Sequence, residues 1–257
     1  MLLRKLLPAG TAGLLLASCT VYAPMQPVMP LVSQRGQAEL GTSLQPLGRL
    51  EVTGAYSPLR RVILAGGLTG APRLGQDVYL VTAQYEAGAG LYQPLGQHWL
   101  LSNLGGFGQA YSHRSYRGLD NHPTEYEARY QKYFGQLGMA YRQPDFSCSL
   151  TYRFTQVEFS YLNYRLDPVA GAYARLPLPA MARHELALSM QNQFQATSRW
   201  QVAGTAGLSV AGTARLDDNP GYPIYGTPEY QANRNLLPAF FASLGVVFRP
   251  GKPLRPW

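Results

Sequence analysis

Beyond Leu16 the 257-residue chain has no long unbroken apolar run. No helix able to cross a bilayer is therefore encoded in its mature part. Charge is scarce: Asp, Glu, Lys and Arg make up 14% of the residues, against the usual quarter. Only two cysteines are present, Cys19 and Cys148. They form no disulfide framework, and neither stands at a Cys/His spacing that would hold a metal. No block of Lys and Arg interleaved with aromatics marks a nucleic-acid surface. No Gly-rich phosphate cradle precedes a helix, and no cofactor is implied. The formal net charge is +8; losing Arg4 and Lys5 with a leader (8 − 2) leaves +6. Arginines scattered in this way would draw the chain toward anionic lipid head groups.

What the chain has in quantity is Tyr (18) and Gly (27), arranged with a period of two. The clearest stretch is a long hairpin over 126–164, turning at Gln143-Pro144-Asp145. In its second arm Phe146, Cys148, Leu150, Tyr152 and Phe154 share one face, while Ser147, Ser149, Thr151, Arg153 and Thr155 share the other. In its first arm Tyr133, Leu137, Met139 and Tyr141 oppose Lys132, Gln136 and Arg142, with Phe134 as an exception. Such alternation marks strands with one apolar and one polar face. The apolar stripes are bracketed by aromatics eight residues apart. At about 3.3 Å per residue and a tilt of about 40°, each stripe spans about 20 Å, near the apolar band of a transmembrane barrel between its aromatic girdles. Beyond Thr155 the apolar residues change parity to Val157, Phe159 and Tyr161, which predicts a bulge near 155–157. Cys148 on the apolar face reads as a small hydrophobe.

Ten strands are expected, at 37–46, 49–57, 61–70, 78–94, 98–113, 126–143, 146–164, 183–196, 199–212 and 237–249; eight or twelve would also fit. Connections after the even strands are short, as at Pro58-Leu59-Arg60 and Thr197-Ser198. Those after the third, fifth, seventh and ninth lengthen, at 71–77, 114–125, 166–182 and 213–236. Alternating short and long connections are what periplasmic turns and outer loops produce. The expected fold is an all-β, closed, antiparallel transmembrane β-barrel in up-and-down order. An open sheet in lipid would leave its edges unpaired.

Residues 1–18 have the basic start and apolar run of a secretory leader. It ends Leu16-Ala17-Ser18-Cys19. That tetrad resembles the bacterial lipoprotein box, which implies an acylated Cys19. Several acyl chains would anchor it firmly. Residues 19–36 carry Pro24, Met25, Pro27, Met29 and Pro30, and are expected to form an extended periplasmic linker. The barrel should occupy 37–249 and a tail 250–257. No acidic run follows Cys19, so the anchor is expected in the periplasm-facing leaflet, with both mature ends on the periplasmic side. The whole pattern resembles the small lipid-anchored outer-membrane β-barrel proteins of Gram-negative bacteria. The resemblance implies a location in the cell outer membrane and, as partners, outer-membrane lipid and the barrel-assembly and lipoprotein-sorting machinery. It carries no motif that fixes a function.

Candidate residues for function fall in three groups. Glu39, Glu51, Glu86, Lys132, Arg142 and Arg153 project to the polar face and would line the lumen, where buried charges must be paired. They would form either a plugging network or a narrow solute path. Ser112, His113, Ser115, Asp120, His122 and Glu125 hold the elements of a hydrolytic triad or a loose metal site, at no diagnostic spacing. Asp217-Asp218-Asn219-Pro220-Gly221, with Tyr222, Tyr225 and Tyr230, reads as a turn in a Tyr-rich outer loop that could grip sugars or proteins. The working function is structural or surface interaction, with limited solute passage included. The alternatives are a hydrolase acting through the His113–Glu125 segment and a soluble periplasmic ligand-binding barrel.

Overall fold

Period-two alternation over eight to twenty residues leaves each strand with two chemically different faces, and a closed sheet can put one of them entirely inside. The computed structural model has this form and describes residues 20–27, 29–117, 123–165, 173–193, 199–212, 232 and 235–250. Eleven strands follow one another as β1 (Ala38–Gln45), β2 (Arg49–Tyr56), β3 (Val62–Ala71), β4 (Tyr79–Leu95), β5 (Trp99–Arg117), β6 (Pro123–Arg142), β7 (Phe146–Arg165), β8 (Tyr173–Arg175), β9 (Ala180–Gln193), β10 (Trp200–Ala211) and β11 (Ala239–Phe248). Each pairs antiparallel with its neighbours, and β1 pairs with β11, from Leu40 opposite Phe248 to Leu44 opposite Leu244. Ten strands make the closed wall. The eleventh, β8, only extends the upper part of β7, where Tyr173 lies opposite Arg165; three residues are too few for alternation to announce it.

The wall is apolar outside and polar inside. Leu64, Leu68, Leu91, Leu137, Leu150, Leu188 and Leu244 are exposed, with Leu244 at 72%. Trp99, Phe146 and Trp200, with the half-buried Tyr141, form a ring near the short turns, and the exposed Tyr85, Phe107, Tyr133 and Phe154 form a second ring farther up. Trp99 packs on Tyr141 at 5.0 Å and Trp200 on Phe248 at 4.7 Å. A soluble ligand-binding barrel needs the reverse, an apolar interior and a polar exterior, so that alternative does not describe this fold. In β11 Phe241 and Val247, apolar residues on the otherwise polar parity, face inward and are buried. Phe134 also faces inward, under the Arg153 guanidinium at 4.5 Å.

The bulge expected near 155–157 is absent there. Arg153, Thr155, Val157 and Phe159 all point inward without a break. What changes along β7 is the filling of the lumen, from polar to apolar, and a parity argument reads that change as a flip. The register shift lies three residues farther on, where Tyr130 opposes Phe159 and Arg129 opposes Tyr161, leaving Ser160 as the extra residue.

The largest departure concerns the expected linker. The described residues 20–27 and 29–33 do not hang free below the barrel; they run through it. Val21, Tyr22, Met25, Met29, Leu31 and Val32 are each 2% exposed or less. The segment holds no charged residue. Its prolines at 24, 27 and 30 fall every third residue, the repeat of a polyproline II helix, which makes no internal hydrogen bonds. Such a backbone needs partners from elsewhere, and the lumen wall supplies them.

Candidate functional site

The lumen is the site, and it is built in three layers. At the end that carries the short turns, Met29, Leu31 and Val32 pack with Ile63, Tyr92, Leu100 and Leu104. At the end that carries the long connections, Val21 and Tyr22 pack with Tyr126, Tyr130, Val157, Phe159, Leu162, Leu178 and Met181. Between these apolar seals lies the charged layer. Low surroundings of this kind make every charge depend on a partner.

Each of the six polar residues singled out in the sequence is buried. Glu86 is bridged by two cations, Lys132 Nζ at 2.6 Å and Arg153 Nη1 at 2.9 Å. Lys132 also donates to Gln84 Oε1 at 3.0 Å, and Arg153 to Gln136 Oε1 at 2.7 Å. Glu39 accepts from Arg249 Nε at 2.7 Å. Glu51 lies 3.6 Å from Arg49 and accepts from Gln45 Nε2 at 2.9 Å. Arg142 sits at the short-turn end, where its backbone N–H donates to His98 O. The structure thus joins Glu86, Lys132 and Arg153, while Glu39 and Glu51 pair with other residues. Arg49, Arg183, Glu185 and Arg249 complete the layer. Their parity was visible in the alternation, but their pairing across the lumen was not.

The threaded segment is held largely by its main chain. Glu51 accepts from Gln26 N at 3.2 Å and Glu39 from Leu31 N at 3.4 Å. Arg49 donates to Pro24 O at 2.7 Å, and Gln84 to Ala23 O at 2.9 Å. Tyr22 donates to Glu185 Oε1 at 2.8 Å, beneath the Arg183 guanidinium. Two wall glycines make room for the methionines. A Cβ at Gly67 would meet Met25 at 2.9 Å, and one at Gly138 would meet Met29 at 2.9 Å. A cavity of about 60 Å³ remains beside Glu86 and Arg153, room for a few waters.

The proposed triad elements do not converge. Ser112 and His113 are neighbours on β5 and so face opposite sides of the wall. Ser112 is buried, and Ser115 Oγ donates to Asp77 O at 2.6 Å. Asp120, His122, Cys19, the 217–230 loop and the 251–257 tail lie outside the described residues. Among the described residues no group of three His, Cys, Asp or Glu could hold a metal ion. His113 instead joins a cluster on the outer wall above the apolar belt. Its Nε2 lies 2.5 Å from Glu125 Oε1 and 3.1 Å from Tyr79 OH, and Arg165 Nη1 lies 2.6 Å from Glu125 Oε2. Partial burial pushes the Glu125 carboxyl up, but hydrogen bonds from Arg165, His113 and Tyr79 outweigh it and hold the group at about 2. Burial and then the Glu125 carboxylate push the Tyr79 phenol up to about 12.

A depressed carboxyl stabilises the fold above its unfolded value, near 4.3, and loses that contribution as pH falls toward about 2. Wild type should therefore be more stable than Glu125→Gln by a constant margin above about pH 5. The margin should shrink as the pH falls through that window. Thermal unfolding of both proteins across pH 2–7, in the same detergent, checks this; a margin independent of pH would refute it.

No family model matches this sequence, and no curated protein matches it. Solved structures do. The outer membrane protease OmpT from Escherichia coli aligns with a TM-score of 0.53 at 8% identity, over 83% of this chain and 93% of that one. The translocator domain of the autotransporter NalP from Neisseria meningitidis gives a TM-score of 0.41 at 11% identity, over 83% and 86%. CarO2 from Acinetobacter baumannii gives 0.30 at 11%, over 84% and 100%. With the strand order and the apolar exterior, the OmpT alignment shows the fold: a closed, ten-stranded, antiparallel β-barrel of the outer-membrane type.

Proposed function

We propose that this chain is an integral outer-membrane β-barrel lipoprotein, closed to solutes by its own N-terminal segment, with a structural or surface-interaction role. The observation that carries it is the filled lumen: apolar seals at both ends of a paired charged layer, inside a wall whose exterior is apolar. A solute path would need that interior to be wet and continuous. The short turns face the periplasm and the long connections face outward, as in other barrels of this type. The rim of β5, β6 and β7, which carries the Glu125 cluster, then stands above the membrane as the surface offered to partners. Acylation of Cys19 supplies a second attachment beside the barrel itself, and the barrel-assembly and lipoprotein-sorting machinery are the partners this biogenesis needs.

The test separates the two attachments. Cells labelled with radioactive palmitate should yield a labelled wild-type protein and an unlabelled Cys19→Ala protein. Both proteins should stay in the outer-membrane fraction after carbonate washing. An unlabelled wild type would sink the lipoprotein part. Release of the variant into the soluble fraction would sink the integral barrel.

A further inference from the structure

The described residues 20–27 enter the lumen at one end, and 29–33 leave it at the other. Thr20 is held at the long-connection end: Arg114 Nη1 donates to its carbonyl at 2.8 Å, its Oγ1 donates to Asn235 O at 2.9 Å, and Val21 N donates to Asn235 Oδ1 at 2.9 Å. Ser33 is held at the short-turn end, where its N–H donates to Gln37 Oε1 at 2.7 Å and Gly36 N–H donates to Ser57 O at 2.7 Å. Arg249 leaves at that same end, with its N–H on Arg199 O and its guanidinium on Glu39. Thr20 and Arg249 therefore stand at opposite ends of the barrel. The sequence reading placed both mature ends on one side.

We propose that the barrel is threaded by its own N-terminal segment, so that the mature amino-terminus is presented at the cell surface and an acyl group on Cys19 belongs to the external leaflet rather than the periplasm-facing one. The proposal rests on the outward orientation of the long connections given above. It also orders assembly. The segment touches walls all round the lumen: Glu39 on β1, Glu51 on β2, Gln84 on β4, Gly138 on β6, Glu185 on β9 and Ser243 on β11. A chain end carrying acyl chains cannot be drawn through a bore that its own side chains fill. The wall must close around the segment, and the seam for that is β1–β11, which joins the strands farthest apart in sequence over a register of five residue pairs.

One epitope per full-length variant tests this: between Cys19 and Thr20, after Arg73 in a long connection, and after Pro144 in a short turn. Antibody is applied to intact and to permeabilised cells. The first two tags should label intact cells, and the third should need permeabilisation. If the Arg73 tag labels intact cells and the Cys19–Thr20 tag does not, threading is wrong. If only the Pro144 tag labels intact cells, the orientation is wrong and the surface assignment falls with it. A variant without insertion guards against misfolding. Met29→Cys with Gly138→Cys, in a Cys148→Ser background, places a sulfur where Met29 Cγ lies, 3.0 Å from the new Cβ at 138, close to the separation across a disulfide. Oxidation in native membranes should link the two and shift gel mobility reversibly with reductant. Failure to link in a folded protein overturns the threading.

Discussion

The wild-type protein should leave a planar bilayer electrically silent, and deletion of residues 20–33 should turn it into a channel. Silence follows from the two apolar seals, because ions cannot cross an interior from which water is excluded. The deletion removes Val21 and Tyr22 from one seal and Met29, Leu31 and Val32 from the other. It also frees the groups that grip the segment, among them Glu51, Arg49 and Gln84. These groups are polar and would hydrate. Among the described residues the buried lumen cations Arg49, Lys132, Arg142, Arg153, Arg183 and Arg249 outnumber the carboxylates Glu39, Glu51, Glu86 and Glu185 by six to four. The opened pore should therefore prefer anions, seen as a reversal potential of the matching sign across a KCl gradient. Heat-modifiable gel mobility establishes that the variant is folded. If the deletion does not fold, Met25→Asp with Met29→Asp in the full chain makes the same case. Two unpaired carboxylates in those glycine-cut sockets would each cost several kcal/mol to bury, enough to expel the segment. A folded variant of either kind that stays silent would show that the segment is not the stopper.

The wall was legible in the sequence because a strand writes its environment every second residue. Tyr133 to Tyr141 and Phe146 to Phe154 gave the height of the apolar belt, and the alternation of short and long connections gave the meander. The element that fills the wall was not legible in the same way. Residues 20–33 have no period-two pattern, since a proline-spaced extended chain pairs with no strand, and their prolines suggested a linker. A different signal was present. Fourteen residues without one charge, holding Val21, Tyr22, Met25, Met29, Leu31 and Val32, are costly to leave in water, so they require a cover. Which cover could not be read, because the contacts that hold them, such as Tyr22 with Glu185 and Gln26 with Ser243, join residues 163 and 217 positions apart. The apparent parity change at Val157 has the same origin: it records the apolar seal that Tyr22 helps to build.

Glu86→Gln should be among the most destabilising single substitutions in the lumen, although it changes the side chain by one atom type and barely alters its volume. Glu86 stands between Lys132 at 2.6 Å and Arg153 at 2.9 Å, with Lys132 fully buried. Neutralising the carboxylate leaves two buried cations facing each other, which costs about 3–5 kcal/mol when one partner of a buried ion pair is lost. For a domain of this size that lowers the unfolding midpoint by roughly 6–20 °C. Lys132→Met should cost less, because Glu86 keeps Arg153, and methionine fills much of the volume of the lysine stem. The double variant Glu86→Gln with Lys132→Met should recover a large part of the loss, since Arg153 retains Gln136 and the glutamine carbonyl as acceptors. Thermal or urea unfolding in one detergent measures all three. A Glu86→Gln protein within about 1 kcal/mol of wild type, the range of exposed pairs, would show that this layer is hydrated rather than dry. The charge triad lies between the two apolar seals and belongs to neither, so its loss should weaken the barrel without opening it. Glu86→Gln is expected to unfold earlier and remain silent in a bilayer, whereas the segment deletion conducts. A conducting Glu86→Gln would mean that the charged layer, and not the threaded segment, closes the lumen.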